Sequence, residues 1–187
     1  LSTKKIDAIT KDFDPSIDSQ VWSKADNNIY FRVQDRDMEN IYKYEPKRRK
    51  FTKLNLEEDV VKSFDLSNYA QQASYTGVSV SNSNRSYIVD LKNGKSTLIS
   101  DPFNSRLSQL SLGDVKDWTF TSSFGDEIEG RYYLPPNFDP NKKYPLIVYY
   151  YGGTSPTQRV FESTYPLHVY AAQDYIVYTL QPSGTTG

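Results

Sequence analysis

The sequence predicts β-propeller blades (all-β) that give way to the opening of an α/β sheet. Three observations carry that reading. Four short strand-like segments occur twice at a spacing near 44 residues. A five-residue apolar and aromatic run, Leu146 to Tyr150, follows much later and ends in Tyr151-Gly152-Gly153. Beyond it the pattern turns to a helix and then another apolar run. Composition agrees with a sheet-rich chain, because 16 Tyr and 9 Phe accompany many β-branched residues.

The first set of strands reads Val21-Trp22-Ser23, Ile29-Tyr30-Phe31, Ile41-Tyr42-Lys43-Tyr44 and Phe51-Thr52-Lys53-Leu54. The second reads Phe64-Asp65-Leu66-Ser67, Ala73-Ser74-Tyr75-Thr76, Tyr87 to Leu91 and Ser96 to Ile99. The first two pairs match at an offset of 44 and the third at 46 to 47. Four strands per repeat at about 40 to 50 residues is the period of a propeller blade. Asp26-Asn27-Asn28 and Lys92-Asn93-Gly94-Lys95 sit where turns are needed, and Asn-Gly is a strong hairpin signal. Two unrelated antiparallel sheets are the plainer alternative. Two blades cannot close a ring, so further blades are expected before Leu1.

Asp101-Pro102 to Asp114 reads as the transition. Trp118 to Ser122 and Ile128 to Leu134 then form a hairpin around Gly125-Asp126, stopped by Pro135-Pro136. Leu146 to Tyr150 reads as a strand buried on both faces, as parallel strands usually are. Val160 to Ala172 reads as a helix interrupted by Pro166, and Tyr175 to Leu180 as a second buried strand. Strand, helix and strand make one right-handed crossover.

In open α/β sheets ligands sit beyond the carboxyl ends of the strands. Tyr151 stands at such an end, beside glycines that let the backbone turn and approach closely. A tyrosine hydroxyl there suits an anion or a developing oxyanion. An ordinary strand-to-loop turn whose tyrosine only packs is the bland alternative.

The same residues carry a resemblance. Asp117-Trp118-Thr119-Phe120, Gly125 to Phe138 and Tyr144 to Gly153 resemble, in order, the entry into the catalytic domain of the prolyl oligopeptidase and dipeptidyl peptidase IV-like serine peptidases. The likeness covers about residues 107 to 181. It implies blades at 1–106 and the N-terminal part of an α/β-hydrolase domain at 107–187. It also implies that Tyr151 lends its hydroxyl to the oxyanion hole. Tyr149, two residues back, is the fallback if the register differs.

That family carries its serine in a Gly-x-Ser-x-Gly elbow, followed by the acid and the histidine. No such motif occurs in the 187 residues. The expectation is therefore an internal piece of a longer protein, inactive alone and truncated before its nucleophile. The resemblance implies acyl transfer on short peptides, with no cofactor and no metal. Propeller glutamates that would anchor a substrate amine cannot be assigned, so substrate-binding residues stay open. A homodimer of the longer protein is a candidate assembly. A non-catalytic homologue that only binds peptides or proteins, and an isolated β-rich interaction module, are the competing readings.

The remaining candidates are weaker. His168 is the only histidine, with Ser163 and Asp174 nearby. Spacings of five and six residues do not align them on one helical face, and the histidine should follow the nucleophile. Asp35 to Asn40 alternates acids like a calcium loop but lacks the glycine at the sixth position and the glutamate at the twelfth. A charged hairpin loop is expected instead. Lys47-Arg48-Arg49-Lys50 reads as a solvated turn offset by Glu57-Glu58-Asp59, and Asn84-Arg85-Ser86 as a chance sequon. In Gln181 to Gly187 the family commonly has Asp-Gly-Arg-Gly-Thr/Ser-Gly; only Gly184 and Thr185 hold that pattern.

With 22 basic and 23 acidic residues, no net field draws nucleic acid or an anionic membrane. Zero cysteines exclude disulfides and a thiol nucleophile. No apolar run approaches the roughly 20 residues that span a bilayer. A periplasmic or secreted location is the expectation, with the cytoplasm left open.

Overall fold

A computed structural model of the chain describes residues 6–186. The ends of the ranges expected above, residues 1–5 and Gly187, lie outside it. Two sheets make up the fold. The first has eight strands, β1 (Ser16–Trp22), β2 (Ile29–Asp35), β3 (Met38–Glu45), β4 (Lys50–Lys53), β5 (Val60–Leu66), β6 (Gln72–Ser79), β7 (Asn82–Asp90) and β8 (Ser96–Ser100). They form two antiparallel four-stranded meanders, β1–β4 and β5–β8, linked by one parallel bridge, Glu39 to Val60. Ser16 and Val60 open equivalent strands 44 residues apart. Even the β-bulges repeat, between Ile17 and Ser19 and between Val61 and Ser63. These are the two blades.

Strand periodicity explains how each blade is packed. On β2, Tyr30 points into a core shared with the next blade, with Ile41, Val61, Ala73, Tyr75, Tyr87 and Val89. Its neighbour Phe31 points the other way, into a cluster with Val33, Tyr44, Phe13 and Phe51. Tyr75 and Tyr87 are cross-strand partners and stack with centroids 4.9 Å apart. The Asn93-Gly94 turn is longer than the dipeptide suggests. Residues 91–95 connect β7 to β8, Gly94 takes φ +73°, and the Asp90 carboxylate accepts from the Lys92 N–H at 2.8 Å.

A single-turn helix, α1 (Asn104–Leu107), leads to the second sheet, in which β9 (Val115–Thr121), β10 (Glu127–Tyr133), β11 (Leu146–Tyr149) and β12 (Ile176–Leu180) lie in the order β11-β12-β10-β9. β9 and β10 form the expected hairpin, with Gly125 at φ +92° in its turn. β11 and β12 are parallel and joined by a crossover that contains α2 (Leu167–Ala172).

Two expectations need correction. The helix does not begin at Val160; only Leu167–Ala172 is helical. Proline pushes the residue before it out of the helical region, so Pro166 starts the helix instead of interrupting it. Nor is the Leu146 strand buried on both faces. Leu146 is 59% and Val148 48% exposed. Ile147 and Tyr149 pack on the other face with Leu167, Ala171 and Val177. β11 is an edge strand, and among the described residues no helix covers its outer face.

Candidate active site

β11 ends at Tyr149, and Tyr150 and Tyr151 follow it out of the sheet. Tyr149 turns inward against Tyr165, with ring centroids 4.9 Å apart. Burial, then the neighbouring Tyr165 and Tyr151 hydroxyls, push its pKa above the ordinary phenol value. Tyr151 is half exposed, and its ring lies on Gly153. A Cβ at Gly153 would stand 2.5 Å from the ring Cε1 and 3.2 Å from the hydroxyl. A Cβ at Gly152 would meet nothing within 4 Å. Neither glycine has a positive φ. What the pair supplies is therefore space beside the Tyr151 ring, and Gly153 supplies it.

The segment 152–165 between β11 and α2 has no regular structure, so its backbone groups need other partners. Gln181, just after β12, uses its side-chain amide twice on Thr157. Its Oε1 accepts from the Thr157 N–H at 2.9 Å and its Nε2 donates to the Thr157 carbonyl at 2.9 Å. Arg131 on β10 donates to the same carbonyl at 3.0 Å and to the Gln158 carbonyl at 2.7 Å. Thr154 is tied to the loop after β12, its carbonyl accepting from the Thr186 N–H at 2.8 Å.

Arg131 is wholly buried, which a charged group tolerates only when paired and hydrogen-bonded. Its Nη1 lies 2.9 Å from Asp37, and its Nε donates to the Tyr133 hydroxyl at 3.0 Å. Asp37 also pairs with Arg159 at 3.0 Å, and Arg159 reaches Asp117 at 2.6 Å. Gln158 donates to Gln34 at 2.9 Å and, at 2.5 Å, to Glu39. Asp37 belongs to the tight β2–β3 turn of the first blade, where Arg36 has φ +58°. The turn thus reaches from the first sheet into the second. Asp59 faces the same cluster; burial raises its pKa, opposed by Arg159 and Arg131.

Asp35 to Asn40 is a charged hairpin, as expected, but not a freely solvated one. Asp35 accepts from Tyr42 and Asn40, and Asp37 is buried. Reading Arg131 only as part of a family pattern missed its place. Its parity with Tyr133 on one strand was the available signal, since alternate residues share a face.

His168, Ser163 and Asp174 are not brought together. The His168 Nε2 lies 2.8 Å from the Val80 carbonyl, between the rings of Tyr133 and Phe161. Asp174 pairs with Lys142, and Ser163 accepts from the Tyr165 N–H. Arg48 and Arg49 find Glu45 and Asp7, while Glu58 is buried, accepting from Tyr87 and Ser79 at 2.6 Å each. The expected offset by Glu58 is therefore wrong. Asn84 is exposed on β7. Among the described residues no group of three or more His, Cys, Asp or Glu could hold a metal ion, and no helix is long and apolar enough to cross a membrane.

No family model matches the chain. Dipeptidyl-peptidase 5 of Porphyromonas gingivalis is 28% identical over 189 aligned residues, covering 100% of this chain and 27% of that protein. The acylaminoacyl peptidase of Pyrococcus horikoshii superposes with a TM-score of 0.78 at 19% identity, covering 96% of this chain and 27% of that one. Dipeptidyl peptidase 4 of Porphyromonas gingivalis superposes at 0.72 and 18% identity, over 92% of this chain and 25% of that one. The chain thus spans about a quarter of the length of these relatives. The chain is similar along its whole length to a dipeptidyl peptidase and shares the order of blades and α/β sheet with acylaminoacyl and dipeptidyl peptidases, which are serine peptidases of the prolyl oligopeptidase family.

Proposed function

We propose that this chain is part of a serine peptidase that cleaves short peptides by acyl transfer, with Tyr151 as an oxyanion donor. In this reading residues 1–106 are blades of the propeller and residues 107–187 open the hydrolase domain. The nucleophile, acid and histidine belong to sequence outside these 187 residues, so the chain alone has no triad. One observation carries the proposal: Tyr151 stands at the carboxyl end of the parallel strand β11, half exposed, with Gly153 leaving room for its ring. A phenol keeps its proton near neutral pH and can donate as charge develops on the substrate oxygen.

The test is made on the full-length protein. A fluorophosphonate should label one serine beyond residue 187. Tyr151→Phe should lower kcat by about 100- to 1000-fold, the usual cost of one oxyanion donor, while KM changes little. Labelling with unchanged turnover in Tyr151→Phe would reject the donor role alone. A folded protein that resists labelling would be a non-catalytic, peptide-binding homologue.

A further inference from the structure

We propose that Arg131 and Gln181 are positioning residues that clamp the loop after β11 and so hold Tyr151 in place for the reaction; this rests on the donor role proposed above. Two side chains from neighbouring strands, β10 and the end of β12, converge on the backbone of Thr157 and Gln158. Between them they satisfy the Thr157 N–H, the Thr157 carbonyl and the Gln158 carbonyl. A strand would normally do this; here an irregular loop is pinned as if it were in the sheet. Tyr151 lies six residues upstream in the same loop, with only Gly152 to Pro156 between it and the clamp.

The residue types fit the task. A planar guanidinium can donate to two carbonyls and a carboxylate at once, which an ammonium cannot do in one geometry. A side-chain amide both donates and accepts, and so matches a peptide group. An ionised acid at position 181 would lack the donor for the Thr157 carbonyl. The departure of Gln181 from the family pattern therefore has a structural use in this chain. Asp37 sets the Arg131 fork from the first sheet, so a blade turn takes part in holding the loop.

The test is a double-mutant cycle in the full-length enzyme with a fluorogenic peptide amide. Arg131→Lys keeps the charge opposite Asp37 but loses the fork. It should lower kcat about tenfold or more, because displacing a reacting group by about 1 Å costs up to roughly 100-fold, with KM within about twofold. In a Tyr151→Phe background the same change should cost less than about twofold, since the group being positioned is gone. If both single variants are impaired and the double variant shows the product of their losses, the positioning role is overturned and the donor role stands. If Tyr151→Phe is as active as wild type, both are overturned. Should Arg131→Lys fail to fold, Gln181→Met enters the same cycle and must show the same non-additivity.

Discussion

Replacing Gly153 with alanine isolates the geometry of Tyr151 from the stability of the fold. The added Cβ would stand 2.5 Å from the ring Cε1 and 3.0 Å from Cζ, whereas ordinary contacts lie at 3.4–4 Å. The ring must retreat by roughly 1 Å to reach ordinary contact distance. Tyr151 is half exposed, so the ring can swing outward cheaply. The variant should therefore lose less than about 1 kcal/mol of stability, as a flexible side chain at the surface permits. Under the proposed donor role, however, its hydroxyl leaves the position where it would meet a tetrahedral oxygen. A displacement of about 1 Å corresponds to a loss in kcat of up to about 100-fold. Gly152→Ala is the matched control, because its Cβ meets nothing within 4 Å. The assay is steady-state hydrolysis of a peptide substrate by the full-length protein, with thermal unfolding run in parallel. Equal turnover in the two alanine variants, at equal stability, would refute the reasoning that Gly153 exists to seat the Tyr151 ring.

Two further predictions concern the junction between the sheets. Asp37→Ala leaves the buried Arg131 and the largely buried Arg159 without their shared carboxylate, a loss of about 3 kcal/mol or more. With a urea slope near 2 kcal/mol per molar, the midpoint should fall by about 1.5 M; a fall under about 0.5 M would contradict the buried-pair assignment. The second concerns pH. Burial lowers the His168 pKa below its ordinary 6.5, partly opposed by its bond to Val80. The unfolded chain therefore binds the proton more readily than the folded one. Stability from this group is present above pH 6.5 and is lost as pH falls below it. The melting temperature should drop between about pH 7 and 5, more steeply in wild type than in His168→Gln. Identical slopes would exclude His168 as the source.

The blades were legible from sequence because a repeat states itself twice. Trp22 and Leu66, or Phe31 and Tyr75, mark the same position in each copy, and strand periodicity does the rest. The β9–β10 hairpin and the β11–α2–β12 order were legible for a similar reason: turn residues and apolar runs are local. Tyr151 could be singled out by its place after an apolar run, before two glycines. Burial was not legible, because it depends on what lies across the sheet. The run Leu146–Tyr150 looked buried on both faces, yet Leu146 and Val148 are exposed because no described helix covers them. Nor was the clamp on the loop. Asp37, Arg131 and Gln181 lie far apart in the chain, and each looks like an ordinary polar residue. Only folding brings a blade turn, a strand interior and a strand end onto one stretch of backbone, where the cost of burying charge forces them to pair.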